Sequence, residues 1–90
     1  LWMDIQKVAM RLPIYFSRHA LQRMRERCIS EEEVVRAIED PIHKTYNQSI
    51  RVVKALRKNR HLLIVVYTEN EWIKVITVID TSKVKKYLPL

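Results

Sequence analysis

From Ser17 to Asp40 the apolar positions recur at three- and four-residue steps, and from Ile50 onward they crowd into runs of β-formers. At 100° per residue Ala20, Leu21, Met24 and Cys28 gather on one side, which predicts a helix from a Ser17 N-cap to about Arg27. Ser30 followed by Glu33 matches a capping box, and Val34, Val35, Ala37 and Ile38 form the buried stripe of a second helix that ends at Asp40-Pro41. The period then changes. "IRVVKAL" (Ile50 to Leu56), "HLLIVVYT" (His61 to Thr68) and "EWIKVITVI" (Glu71 to Ile79) are rich in Val, Ile, Tyr, Trp and Thr and are parted by short polar turns.

The middle run is apolar at nearly every position, which implies cover on both faces, whereas the first alternates. A further short strand is expected at His43 to Tyr46 or at Ile5 to Ala9, and "TSKVKKYL" reads as a brief closing helix. The expectation is one α+β domain: two N-terminal helices on a three- or four-stranded antiparallel meander. No glycine occurs anywhere, so the turns must use other residues, and Asn47, Asn59 and Asn70 fall where the patterns break.

Charge narrows the choice of partner. Seventeen Lys and Arg against ten Asp and Glu give +7 on 90 residues, a field that attracts nucleic acid, acidic membrane surfaces or an acidic protein. One cysteine, Cys28, excludes an internal disulfide framework and fits a reducing, cytoplasmic setting. The longest apolar run, "LLIVVY", is far short of a membrane span, and no secretory signal is evident; Met3 and Met10 are candidate natural starts.

His19, Arg23 and Arg27 stand at i, i+4 and i+8, a helical stripe of one titratable ring and two fixed guanidinium forks. RNA scission without a metal uses such a set: one group takes the 2′-hydroxyl proton, another protonates the leaving oxygen, and cations hold the phosphoryl charge. Spacing alone favours a solvated helix face, with Glu26 pairing with Arg23 or Gln22.

The order of residues in "RHALQRMRERCISEEEVVRAI" adds to this. His19-Ala20, Arg23-Met24, Arg27, Ile29-Ser30 and Glu33-Val34, with Thr77 in "KVITVI", resemble a small family of domains grouped with the RelE/ParE-like toxins and the barnase–EndoU–colicin–RelE ribonuclease fold. The resemblance implies a RelE-like, metal-independent endoribonuclease of a toxin–antitoxin system that cleaves RNA, messenger RNA first among candidates and with or without the ribosome. It makes His19, Arg23 and Arg27 site residues with Thr77 in support, and it implies an acidic antitoxin as partner. Cys28 stands where that family usually has glycine, so the helix end must turn without glycine's freedom at positive φ.

The loop "RKNRH" places Arg57, Lys58, Arg60 and His61 at a strand junction, either as phosphate contacts or as an ordinary charged turn. His61 is a second proton-transfer candidate if it shares a side with His19. By period two, Lys74 and Thr77 fall on opposite faces, Lys74 with Trp72, Ile76 and Val78. Tyr46, Tyr67 and Trp72 either stack on unpaired bases or complete the core and its rim. His19, Cys28, His43 and His61 lack the paired spacing of a zinc site, so neither metal nor cofactor is expected, and Cys28 reads as a small buried residue. Two rivals to the enzyme are a non-catalytic basic module binding RNA or a protein, and a subunit whose "IRVVKAL" edge pairs with a second copy.

Overall fold

The computed structural model describes residues 12–88. The chain forms β1 (Ile14–Phe16), α1 (Arg18–Glu26), α2 (Glu31–Glu39), β2 (His43–Asn47), β3 (Ile50–Leu56), β4 (Leu62–Glu69), β5 (Ile73–Thr81) and α3 (Val84–Tyr87). The sheet order is β1-β5-β4-β3-β2. The α+β class stands, but the sheet has five strands and is mixed. β1 joins β5 in parallel, Phe16 opposite Val75, and every other pairing is antiparallel. A three-residue strand is too short to show a two-residue period, and its partner lies nearly sixty positions away in sequence. Of the two extra strands expected, His43 to Tyr46 is present as β2, and Ile5 to Ala9 lies outside the described residues. Because β2 pairs with β3, the "IRVVKAL" edge is closed to a second copy.

Both helices begin as their caps dictate. Ser17 accepts from the Ala20 amide at 3.0 Å and donates its hydroxyl to the Ile76 carbonyl at 2.7 Å, which fixes the start of α1 against β5. Ser30 accepts from the Glu33 amide at 3.1 Å. The reciprocal half of the capping box does not form, because the Glu33 carboxylate is turned to Arg57. Three glutamates in the first turn of α2 suit the positive end of its dipole.

α1 ends in a Schellman turn: Ile29 donates to Met24 O at 2.8 Å and Cys28 to Arg25 O at 3.4 Å. Cys28 takes the left-handed position at φ 54°, the place where glycine would be free of strain. Its side chain is exposed, contrary to the buried role expected of it, because the turn carries the chain away from the core at that residue. Leu21 is also exposed, and only Ala20 and Met24 of the α1 stripe are buried. The other left-handed residues, Gln48 and Arg60, each follow one of the turn asparagines.

The helices cover one face of the sheet. Ala20, Met24, Ile29, Val34, Ala37 and Ile38 pack on Val53, Leu63, Val65, Tyr67, Ile73, Val75 and Val78. Each such side chain removed from water contributes roughly 1.5–3 kcal/mol before chain entropy is subtracted, the two alanines less. Among the described residues the opposite face is covered only at one end, where Leu62 and Ile64 are buried and Lys54 donates to the Tyr87 carbonyl of α3.

A bulge in β5 overturns one expectation. Val66 pairs with Thr77 and Tyr67 with Val75, so Ile76 is an extra residue in the ladder. The period slips there. Thr77 therefore shares the helix-free face with Lys74 instead of opposing it, while Val78 turns into the core.

Candidate functional site

α1 lies along β5. Its first cap bonds Ile76, and its last carbonyls meet a polar cluster beside Asp80, about 15 Å of helix alongside about 13 Å of strand. The cluster is centred on Arg57, the first residue of the β3–β4 loop. Its Nε and one Nη donate to the two Glu33 carboxylate oxygens at 2.6 and 3.2 Å. The remaining donors reach Asp80 Oδ2, the Cys28 carbonyl at 3.1 Å and the Arg27 carbonyl at 3.4 Å. All five guanidinium protons are used, and the side chain is 10% exposed. Hydrogen bonding to Glu33, and then to Asp80, keeps the guanidinium charged against the cost of burial.

Asp80 is 7% exposed and holds His61 with its other oxygen, 2.6 Å from Nδ1. Burial pushes its carboxyl up, but the bonds from His61 and Arg57 outweigh that and hold it below the ordinary carboxylate range. An ionised carboxylate only accepts, so Nδ1 carries a proton, and in the neutral tautomer this selects the lone pair is left at Nε2. His61 is itself fixed by its loop. Asn59 Oδ1 accepts from its amide at 2.9 Å, and its carbonyl accepts from Arg57 N at 2.9 Å. The ring remains 39% exposed.

The sequence-derived residues thus fall into separate places. Arg57 is an internal brace, unlike Lys58 and Arg60, which are exposed at the loop tip. His19, Arg23 and Arg27 are exposed along α1, and their side chains make no hydrogen bond or ion pair with another described residue. His19 is two turns, about 12 Å, from Arg27 and the His61 end of the helix. Thr77 lies on the far side of the sheet from α1. No group of His, Cys, Asp or Glu among the described residues has the arrangement to hold a metal ion. Sequence reasoning passed over Asp80 altogether. Its signal was an acid inside the β run "VIDT", where Asp is disfavoured unless something pairs it.

Glu33 and Arg57 also line an open cleft of about 580 Å³ between α2 and the β3–β4 loop, with Arg36 and Lys58 among its walls. No helix among the described residues is long and apolar enough to cross a membrane.

Fold and cluster define a small basic α+β domain whose polar centre is a guanidinium–carboxylate–imidazole chain at one end of the sheet. The chain belongs to the family described as Domain of unknown function (DUF4258), which matches it over residues 16–85. That span takes in α1, the whole polar cluster and the start of α3. No curated protein and no solved structure matches the chain.

Proposed function

We propose that this domain is a metal-independent endoribonuclease of the RelE-like toxin kind, acting on RNA and held in check by an acidic antitoxin. The observation that carries the reading is the His61–Asp80 pair at 2.6 Å, braced by Arg57 and set among exposed cations. A base held in one tautomer by a buried carboxylate suits a proton transfer worth about 10²–10⁴ in rate. The 2′-hydroxyl oxygen bonds to phosphorus as its proton passes to His61 Nε2. The bond to the 5′ oxygen breaks, and that oxygen takes a proton from solvent, leaving a 2′,3′-cyclic phosphate and a 5′-hydroxyl. Arg23, Arg27, Lys58 and Arg60 supply the cations for the phosphates. The residue order from Phe16 to Ile38 supports the same reading.

His19 and His61 do not serve one phosphodiester, because each would have to stand within about 3 Å of its atoms. In this reading His19 is a binding group. A second reading, a basic module that binds RNA or a protein without cutting, is favoured by the separation of His19 from Thr77 by the sheet.

The deciding experiment incubates the purified chain, in EDTA, with labelled single-stranded RNA and, separately, with messenger RNA on ribosomes. Cyclic-phosphate products that fall by about 10²-fold or more in His61→Ala are expected. Intact RNA in both arms, with the RNA still bound, would replace the enzyme with the binding module.

A further inference from the structure

Among the described residues the face of the sheet away from α1 and α2 is half open. Register places Tyr15, Lys74, Thr68 and Ile50 in one row across it, and Thr77, Val66, Val52 and Thr45 in the next. α3 closes only the end that holds Leu62 and Ile64. In the open part Tyr15 is 57% exposed, and Trp72, two residues before Lys74 at the mouth of β5, is 49% exposed. Tyr15 stands opposite Lys74, and a two-residue period puts Trp72 on the same side as Lys74, so two half-exposed rings flank one lysine.

Charge identifies what fits there. The strands carry two acids, Glu69 and Asp80, and both alternate onto the helix side with Tyr67 and Leu63. Among the described strand residues the open face carries none. Its cation is Lys74, and Lys83, Lys85 and Lys86 of α3 and its cap stand at its border, while Lys54 lies at the covered end, bonded to the Tyr87 carbonyl. Glu71 lies in the turn before β5. Threonines at 45, 68 and 77 interrupt the aliphatic positions, so the face offers hydroxyls as well as apolar surface. Stacking rings, a lysine beside them, hydroxyls and no carboxylate are the requirements of an unpaired polyanionic strand.

We propose that this face binds single-stranded nucleic acid, Tyr15 and Trp72 stacking on bases while Lys74 meets a phosphate. The proposal deepens the function given above by naming where the unpaired strand lies, and it rests on RNA being the ligand. Stacking is sequence-tolerant, so the surface holds the strand without reading it. His61 and Asp80 stand at the other end of the sheet on the opposite face, so cutting and holding are separate functions.

The test is fluorescence anisotropy of a short labelled oligouridylate titrated with the full chain. Tyr15→Ala and Trp72→Ala should each weaken binding by roughly 5- to 150-fold, and Tyr15→Phe should restore it. Lys74→Ala should reduce the slope of log affinity against log salt by about 0.7, one phosphate on a single strand. If the aromatic variants bind as the wild type does while Arg23→Ala and Arg27→Ala do not, the strand lies on the helix side. This inference then falls and the ribonuclease reading stands. No binding by the wild type overturns this inference and leaves the ribonuclease reading to the ribosome arm of the cleavage assay. A concentration-dependent dimer lost in Tyr15→Ala, with oligouridylate affinity unchanged, assigns the face to a second copy.

Discussion

Replacing Arg57 by Met is the sharpest test of the polar cluster. Met keeps much of the aliphatic volume and removes every donor. Glu33, whose side chain is 28% exposed, regains part of its hydration, but Asp80 at 7% does not. Asp80 keeps His61, and the Arg27 and Cys28 carbonyls lose a partner that helped close α1. Removing one member of a buried ion pair costs about 3–5 kcal/mol. Partial exposure of Glu33 and the surviving His61 bond place this case at the lower end, about 3 kcal/mol. A domain of 90 residues has roughly 4–14 kcal/mol of stability, so the loss is a large fraction. Urea unfolding followed by circular dichroism should show a midpoint lower by about 1.5 M if the slope is near 2 kcal/mol per M. The double variant Arg57→Met/Asp80→Asn should lose less than the sum of the single changes, because the stranded charge is gone. An unfolding free energy within about 0.5 kcal/mol of wild type, the usual range for a surface change, would refute the brace.

Asp80 titrates lower folded than unfolded, so its contribution is complete above the ordinary value of 3.8 and is lost as pH falls through its depressed value. Acid titration of stability should therefore be shallower below pH 4 in Asp80→Asn than in wild type, which otherwise pays that loss on acidification. Cys28→Gly should raise stability by about 1 kcal/mol in thermal melts, since φ 54° costs a residue with a Cβ and costs glycine little. The Tyr67 hydroxyl is buried with no hydrogen-bond partner among the described residues, although the Lys44 ammonium is 6.0 Å from its ring centroid. Tyr67→Phe should leave the urea midpoint unchanged or raise it, by about 1 kcal/mol at most, and a loss of more than that would show the hydroxyl to be satisfied.

The sequence by itself determined what depends on neighbours a few residues apart. Ser17 and Ser30 start the helices, Asp40-Pro41 ends the second, and the β-rich runs become β3, β4 and β5 to within about two residues. Even the strain at Cys28 was legible, from a resemblance whose pattern puts glycine there. Tertiary structure alone decided whatever joins distant positions. The slip at Ile76 follows from a mismatch between two strands, and it moves Thr77 to the other face without any mark in the local pattern. β1 is a strand only because β5 offers it an edge. Arg57 and His61 look alike in sequence, as charge in a turn. One is drawn inward because Glu33 and Asp80 meet it from segments 24 and 23 residues away, and the other stays half in water with one nitrogen on the same Asp80. Pairing of buried charge is a contact between segments, and periodicity within one segment carries no trace of it.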